Sequence, residues 1–364
     1  MFPSRLVSVL GKPGLFNSYS LEFDGSNDKV TCGDISGFVA NSGSISCWIK
    51  VTDSDSPSIQ GIVTNGETGN TRNGIYIQTD KLYYNYGYDG GTNNVASDND
   101  VTENVWIHFV VTREYAGGFT TIKMYLDGEL QTDTDTSEVA LSDAESAVII
   151  GYLSSDRYFN GNIDEVAIWN TALSAGDISA LYQARGTSDL NDDGNSANLK
   201  GWWRMGDGPL DDFNLIADQV NPTLGSELIT DGDFPDGDNW AESGGWSIND
   251  TTEKAECDGD AAKLTQDGIL TSGKVYKLSF EVGLLSGEGS ITGNVTPRLG
   301  GVYGTSTPTV GIHTQYIRSG GTNMRFYGAN PTKLTLDNVS VKEVQGNPGL
   351  MTNMASDDIV SDTP

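Results

Sequence analysis

Basic residues are scarce in this 364-residue chain, and histidine and cysteine are scarcer still. Lys and Arg number 21 against 50 Asp and Glu, so the formal net charge is −29. A nucleic-acid-binding protein needs a basic surface, and an anionic membrane surface repels such a chain, so neither partner is expected. No apolar run approaches the roughly 18–20 residues of a membrane-spanning helix, which argues against membrane insertion.

The three cysteines, Cys32, Cys47 and Cys257, make a poor disulfide framework because their number is odd and they are spread over the whole chain. We predict free thiols, and the apolar strand pattern around Cys47 is typical of a small core residue. The amino terminus also lacks a long apolar stretch, since Gly11 and the residues after it end the first apolar run. The sequence therefore predicts no signal peptide.

Glycine, by contrast, is abundant, with 45 residues, and short stretches rich in β-branched and aromatic residues recur between turn residues. This pattern predicts many short strands. Asp127-Gly128 gives the strongest hairpin signal. One helix is predicted after Ser174, with Asp177 completing a capping box and Gly186 ending the helix. The predicted fold class is all-β, with two jelly-roll β-sandwiches in tandem and extended terminal arms.

Composition divides the chain into five predicted segments. These are an N-terminal arm (1–18), a first sandwich (19–205), a linker (206–225), a second sandwich (226–345) and a C-terminal arm (346–364). Both arms are irregular in sequence, so we expect them to be extended and to dock onto neighbouring subunits.

Several motifs follow one another in the first predicted sandwich: 20–25 (SLEFDG), 43–49 (GSISCWI), 106–113 (WIHFVVTR), 124–128 (MYLDG) and 159–170 (FNGNIDEVAIWN). In this order they resemble the strands of a laminin-G-like, concanavalin A-type jelly roll. Residues 227–234 (ELITDGDF) and 336–343 (LDNVSVKE) resemble the opening and closing strands of a carbohydrate-binding-module-like jelly roll. The pairing of these two domains resembles virion proteins of marine tailed phages.

The resemblance implies a non-enzymatic virion surface protein, either a capsid decoration or a tail-fibre component, assembled in the host cytoplasm. Its expected partners are other virion proteins and a host-surface glycan. It is also expected to form a homo-oligomer, with a trimer favoured. The alternative is a free or cell-surface lectin that binds polysaccharide.

Catalytic motifs are missing from the sequence. It contains no G-x-S-x-G, no H-E-x-x-H and no phosphate-cradling glycine loop. His108 alternates with apolar Ile107 and Phe109, which favours a structural histidine over a general base. A glycan hydrolase, the third hypothesis, would need two facing carboxylates, and the strand motif that supplies them in related hydrolases is absent. We therefore expect no enzyme.

The many carboxylates favour a structural Ca²⁺ ion, which takes six to eight oxygen ligands. In proteins of the resembled fold, calcium often lies where the first strand meets the last. The resemblance thus implicates Asp24 and Asp164 in the first sandwich and Asp233 and Asp337 in the second. The alternative is that these aspartates cap turns. Residues 189–194 (DLNDDG) copy half of an EF-type loop, but a lysine occupies its twelfth position, so no strong site is expected there.

A cluster of tyrosines next to Asp and Asn residues is the predicted glycan site. Sugar rings stack on aromatic faces, and their hydroxyls bond to carboxylate and amide groups. The candidate residues are Tyr84, Tyr86, Tyr88, Asp89 and Asn93. The alternative is that tyrosines alternating along a strand divide between core and surface, or pack at a subunit interface.

Overall fold

The chain forms two compact units in a computed structural model. Met1–Val220 and Met351–Pro364 form the first unit, and Asn221–Leu350 form the second. The structure describes residues 15–35, 42–65, 73–88, 91–137, 147–220, 222–236, 238–259, 263–328 and 331–364. Within these ranges, no helix has both the length and the apolar character needed to cross a membrane.

The described part of the first unit consists of short strands and one α-helix. In chain order these are β1 (Ser20–Asp24), β2 (Lys29–Asp34), β3 (Gly43–Val51), β4 (Gln60–Asn65), β5 (Asn73–Gln78), β6 (Lys81–Tyr88), β7 (Gly91–Ala96), β8 (Trp106–Ala116), β9 (Phe119–Leu126), β10 (Glu129–Ser137), β11 (Ala147–Ile150), β12 (Asn160–Trp169), α1 (Ala175–Ala184), β13 (Leu199–Trp203) and β14 (Leu215–Ile216).

The remaining strands follow in the second unit, and the last two return to the first. They are β15 (Leu224–Glu227), β16 (Ala241–Ser243), β17 (Trp246–Asn249), β18 (Lys254–Gly259), β19 (Lys263–Gln266), β20 (Val275–Gly283), β21 (Val295–Leu299), β22 (Val302–Tyr303), β23 (Gly311–Arg318), β24 (Met324–Gly328), β25 (Thr332–Val344), β26 (Gly349–Thr352) and β27 (Ile359–Val360).

The first unit is a sandwich of two eight-stranded sheets. Sheet A has the order β10-β9-β8-β3-β12-β1-β27, with β13 beside β12, and sheet B has the order β14-β26-β2-β11-β4-β5-β6-β7. Alternate residues of both sheets meet in one core, which includes Phe23, Cys47, Ile75, Phe109 and Trp203. The all-β sandwich predicted from the sequence is confirmed.

Helix α1 covers part of the outer face of sheet A. It begins after Ser174, whose hydroxyl accepts from the N–H of Asp177 at 3.2 Å, and both halves of the predicted capping box are present. It ends where Arg185 adopts the left-handed conformation with φ 47°. Ile178 packs with Trp202 and other outer-face residues of sheet A, so the predicted helix is confirmed with its apolar stripe against the sheet.

Strand β12 contains a β-bulge that decides where two acidic side chains lie. Its register with β3 shifts between Asp164 and Ala167, and Glu165 has φ 48°. Ile163 and Val166 both point into the core, although residues three apart in a regular strand face opposite sides. The extra residue therefore lets β12 bury apolar side chains both before and after Asp164 and Glu165 in the sequence.

The predicted C-terminal arm is not a free arm. Strand β26 lies between β14 and β2 in sheet B, and β27 pairs with β1 at the edge of sheet A. Met351 and Met354 enter the sandwich core. The interpretation of 346–364 as a docking arm is therefore wrong. Part of the predicted linker 206–225 also belongs to this unit, since β14 is buried in sheet B.

The described end of the N-terminal arm is bonded to the same unit. Oδ2 of Asp207 accepts from the N–H groups of Ser18 and Tyr19 at 2.8 and 2.9 Å. The carbonyl of Phe16 accepts from Nη2 of Arg204 at 2.5 Å. Residues 15–18 are therefore anchored within their own chain, and residues 1–14 of the predicted arm lie outside the described residues.

The second unit is a smaller sandwich of two sheets. Sheet C has the order β17-β18-β25-β20-β23, with β15 beside β25, and sheet D has the order β16-β19-β24-β21-β22. Its core includes Phe234, Trp246, Cys257, Phe280 and Phe326. The three cysteines of the chain are buried and free, as predicted.

Candidate functional site

Sheet D of the second unit presents basic and aromatic side chains on its outer face. In β24, buried Met324 and Phe326 alternate with half-buried Arg325 and Tyr327. Strand β21 alternates in the same way and turns Arg298 outward. The register places Arg298 directly opposite Arg325. Because directly opposed residues of antiparallel strands point to one face, the two guanidinium groups share a surface.

Tyrosine rings surround the guanidinium group of Arg298. Its Cζ atom lies 4.7 Å from the ring centroid of Tyr303 and 5.9 Å from that of Tyr327. Its Nη1 donates to the hydroxyl of Tyr327 at 3.1 Å, and Nζ of Lys263 lies 5.7 Å from the Tyr327 ring. Burial raises the pKa of Tyr327, but hydrogen bonds from Arg325 and Arg298 outweigh it and hold the pKa below its ordinary value.

A cavity of about 240 Å³ opens beside the two arginines. It is lined by Arg298, Gly300, Gly301, Gly321, Thr322, Asn323 and Arg325. Nε of Arg325 is buried and has no hydrogen-bond partner among the described residues. A buried donor without an acceptor costs about 1–3 kcal/mol, so a ligand that supplies an acceptor here would recover that cost. Tyr303, which stacks on Arg298, is 59% exposed.

The tyrosine cluster predicted from the sequence does not form this kind of surface. Tyr84 and Tyr86 are fully buried between the sheets of the first unit. Their predicted role in stacking on a sugar is therefore wrong, because neither ring has an accessible face. The side chain of Tyr88 and the whole of Asp89 lie outside the described residues. Asn93 is exposed, and its amide donates to a carboxylate of β10 at 3.0 Å.

Asp24 and Asp164, which were predicted to share a calcium ion, lie apart on paired strands. Asp24 is opposite Asn160, so Asp164 lies four residues farther along β12, about 14 Å away at roughly 3.4 Å per residue. Oδ1 of Asp24 accepts from the N–H of Ser26 at 2.7 Å, as in a turn cap. Asp164 is fully buried. One calcium ion cannot bind both carboxylates, so this predicted pair is wrong.

In the second unit, Asp337 already faces a cation. Its Oδ2 accepts from Nζ of Lys254 at 2.6 Å. The loop that carries Asp233 does reach the same strand, because the carbonyl of Gly232 accepts from the N–H of Val339 at 2.8 Å. A calcium ion between Asp233 and Asp337 would have to displace the lysine from its carboxylate, and calcium binding there stays a prediction.

Three other carboxylates lie close together in the described residues. Oxygen atoms of Asp53, Asp55 and Glu103 all lie within 4.8 Å of one another. Desolvation and the neighbouring Asp55 raise the pKa of Asp53. Sequence reasoning missed this cluster because Glu103 is distant from the other two along the chain. Asp55 and Glu103 are exposed, and exposed acidic groups commonly cluster without an ion.

His108 is packed under helix α1 rather than exposed in a cleft. Its Nε2 lies 2.8 Å from the hydroxyl oxygen of Ser46, and its ring lies 4.9 Å from the ring of Trp48. The ring of Tyr182 on the helix stacks on the same histidine at 6.2 Å. Burial lowers the pKa of His108 to about 3, so the ring is neutral at ordinary pH.

Beside the bulge of β12 lies a buried charged network. Oε1 of Glu165 accepts from Nε of Arg204 at 2.9 Å, and Oε2 accepts from Nε1 of Trp202 at 2.6 Å. Oδ2 of Asp164 accepts from the amide of Asn17 at 2.9 Å. Burial acts to raise the pKa of Glu165, and the charge of Arg204 and the hydrogen bond from Trp202 act to lower it. Burial and the charge of Glu165 raise the pKa of Asp164 well above its ordinary value.

We expect the first unit to lose stability as the pH rises from about 4 to about 7. A carboxyl group whose pKa is higher in the folded than in the unfolded state stabilises the fold while protonated, and this stabilisation is lost as the pH passes the folded pKa. Asp164 shifts this way, as does Asp28, whose pKa burial raises to about 6. Urea unfolding across this range checks the expectation. Asp28→Asn should flatten part of the slope, and a flat profile for the unchanged chain contradicts it.

The family comparison concerns the first unit. Residues 24–179 match the family described as the Concanavalin A-like lectin/glucanases superfamily. The match covers less than half of the 364-residue chain. No protein with a curated sequence matches the chain.

Several solved structures resemble the chain at low sequence identity. A putative carbohydrate binding protein from Bacteroides ovatus is 19% identical with a TM-score of 0.44, over 57% of this chain and 56% of that one. The enzymatically active domain of tailspike protein 2 of bacteriophage CBA120 is 11% identical with a TM-score of 0.39, over 55% and 34%. Domain 4 of AbnA, an extracellular arabinanase from Geobacillus stearothermophilus, in complex with arabinotriose, is 18% identical with a TM-score of 0.37, over 48% and 82%.

The chain thus spans about half the length of the Bacteroides protein and about a third of the tailspike domain. Residues 24–179 are similar in sequence to the concanavalin A-like lectin and glucanase superfamily, within an all-β chain built of sandwich sheets.

Proposed function

We propose that this protein binds carbohydrate without cleaving it, and that the outer face of sheet D is a binding surface. The observation that carries the proposal is the meeting of Arg298, Arg325, Tyr303 and Tyr327 beside a cavity of about 240 Å³. Sugar rings stack on aromatic faces, and guanidinium groups donate hydrogen bonds to sugar oxygens. Ligand sites commonly combine a concave apolar surface with a few placed polar groups. The lectin-type family match of the first unit supports the same class of ligand.

Replacing the exposed tyrosine tests this surface directly. We expect Tyr303→Ala to weaken binding of the full chain to immobilised polysaccharides about five- to tenfold, the loss typical of one aromatic contact. The matched control is Tyr115→Ala, because Tyr115 is an exposed tyrosine of the first unit. Equal binding by Tyr303→Ala and the unchanged chain would remove sheet D as the binding surface.

The absence of catalysis is part of the proposal. Hydrolysis of a glycosidic bond needs two carboxyl groups that face each other across the substrate. The adjacent buried carboxyl groups of Asp164 and Glu165 are instead bonded to Asn17, Trp202 and Arg204. We expect no release of reducing sugar from any polysaccharide that binds. Release that a single Asp or Glu substitution abolishes would restore the hydrolase hypothesis.

The place of the protein on a phage virion, as a capsid decoration or a tail-fibre component, is also proposed. It rests on the order of the two sandwich domains and on the sequence resemblance. Quantitative mass spectrometry of purified particles tests it by counting copies of the chain. Hundreds of copies support a capsid decoration, and a few to tens support a tail or fibre part. Absence from particles would favour a free or cell-surface lectin.

A further inference from the structure

Resting on this proposed function, we infer that the ligand of sheet D is an anionic saccharide whose carboxylate or sulfate group is bound between Arg298 and Arg325. The directly opposed arginines, the charge of the face around them and the adjoining cavity each contribute to the inference. Uronic acids and sulfate esters share the required chemistry, which is a negative charge spread over two or three oxygen atoms on a sugar ring.

The outer face of sheet D is cationic in a protein with a net charge of −29. The pairing register of the strands, followed from the outward Arg298 and Arg325, identifies the residues that share this face. In the described strands these are Ala241 and Ser243, Lys263 and Thr265, Thr296 and Arg298, Tyr303, and Arg325 and Tyr327. They include three cations and no carboxylate. Because Asp and Glu are so common in this chain, a face with no carboxylate is not explained by solubility alone.

Other lysines of the same unit form ion pairs with carboxylates. Lys254 of sheet C pairs with Asp337 at 2.6 Å, and Lys274, just before β20, pairs with Glu343 at 3.3 Å. Across the described ranges, by comparison, no carboxylate forms an ion pair within 4.0 Å with Arg298, Arg325 or Lys263. Lys277 and Lys342 of sheet C are also directly opposed and have no such pair in the described ranges. Unlike Arg298 and Arg325, however, they do not line the cavity of about 240 Å³.

Two like charges directly opposite each other destabilise an antiparallel pair of strands. Arg298 and Arg325 are both half-buried, so water screens their repulsion less than at a fully exposed site. An anion between them would remove the repulsion. The planar fork of N–H groups in arginine matches carboxylate and sulfate oxygens, and such charge-assisted hydrogen bonds are about twice as strong as neutral ones.

Contacts within the protein hold Arg298 in position before a ligand arrives. Its Nε donates to the carbonyl of Gly301 at 2.9 Å, and its Nη1 donates to the hydroxyl of Tyr327 at 3.1 Å. The ring of Tyr303 packs against the guanidinium group. A group fixed in this way loses little conformational entropy on binding. Tyr303 can stack on the sugar ring while the arginines bind its acidic substituent.

A series of dextrans that differ in charge alone tests the inference on the full chain. Neutral dextran, carboxymethyl-dextran and dextran sulfate share one backbone, and the two charged forms separate a carboxylate from a sulfate as the bound group. We expect at least tenfold tighter binding to one or both charged forms than to neutral dextran. That advantage should shrink as salt rises from about 0.05 to about 0.5 M, because salt screens exposed charges.

The variant Arg298→Gln/Arg325→Gln should lose at least tenfold in binding to the preferred charged dextran. Its matched control is Lys277→Gln/Lys342→Gln, which removes two directly opposed cations from sheet C of the same unit. An equal loss in both variants would overturn the inference, because net charge alone would then explain binding. Circular dichroism and urea unfolding verify that both variants fold.

The other outcomes also decide the matter. Equal binding to neutral and charged dextran, with loss in Tyr303→Ala, would overturn the anionic ligand and leave the proposed function in place. No binding of the chain to any polysaccharide would overturn both. Tighter, arginine-dependent binding to single-stranded DNA than to any dextran would identify a nucleic acid as the ligand and overturn the inference.

Discussion

Removing residues 351–364 is expected to unfold the first unit and leave the second folded. The deleted segment contributes β27, half of β26, and the core residues Met351 and Met354. Burying each methionine stabilises the fold by about 1.5–3 kcal/mol, so their loss costs about 3–6 kcal/mol. Domains of this kind are stable by only about 5–15 kcal/mol in total. The deletion also exposes the hydrogen-bonding edges of β1 and β2.

The same segment carries a polar anchor at Asp362. Its carboxylate accepts from Nε1 of Trp106 at 3.0 Å and pairs with Lys50, and its carbonyl accepts from the hydroxyl of Ser20 at 2.6 Å. These bonds tie the end of the chain to three strands of sheet A. Deletion therefore removes both apolar burial and the groups that close the sheet edge.

Calorimetry of the truncated and full chains measures this effect, with the second unit as an internal reference. The matched control deletes only Thr363 and Pro364, which follow the anchoring aspartate, and should change stability by less than about 0.5 kcal/mol. An unchanged first transition in the truncated chain would contradict the expectation. It would also restore the interpretation of residues 346–364 as an independent docking arm.

Local sequence signals predicted the elements that local chemistry determines. Ser174 and Asp177 form the expected capping box, and Asp127-Gly128 forms the expected hairpin turn with φ values of 50° and 80°. In both cases, residues within four positions of each other satisfy the backbone. The strands and the all-β class followed in the same way, because alternation of apolar residues is itself a local pattern.

The wrong predictions depended on which face of a strand a residue occupies, or on pairing with residues far away in the sequence. Leu82, Tyr84 and Tyr86 are alternate residues of β6 and therefore face the same side of the sheet. Since a leucine in this series favours the core, the sequence could have predicted that both tyrosines are buried. Nothing local distinguishes β27 from a polar tail, since its two residues gain their place by pairing with Ser20 and Leu21. A strand that short has too few residues to show alternation.

The candidate site on sheet D escaped prediction for a related reason. Arg298 and Arg325 are far apart in sequence, and they meet only because β21 and β24 are neighbours in the sheet. A signal was available: basic residues are few, and each arginine lies on the polar phase of a strand, two residues before Gly300 or Tyr327. That signal indicates an outward position without showing which strands share a face.

Glu165→Gln is expected to destabilise the first unit by about 3–5 kcal/mol, because it leaves the buried cation of Arg204 without its counter-charge. Arg204 is only 4% exposed, so water cannot replace the carboxylate. The carbonyls of Phe16, Gly186 and Asp207 also accept from this guanidinium, but they carry no formal charge. The matched control is Asp100→Asn at the exposed pair with Lys81, where less than about 1 kcal/mol should be lost.

A second substitution separates the lost charge from the lost hydrogen bonds of Glu165. Replacing a buried ion pair by uncharged residues is often neutral, whereas removing one partner is costly. We therefore expect Glu165→Gln/Arg204→Met to be more stable than Glu165→Gln alone, although Trp202 keeps only a weaker acceptor in both. Urea unfolding of the four members of this cycle measures the coupling. If the double variant were no more stable than Glu165→Gln, the cost would lie in the hydrogen bonds of the carboxylate. The missing counter-charge of Arg204 would then not be the cause of the lost stability.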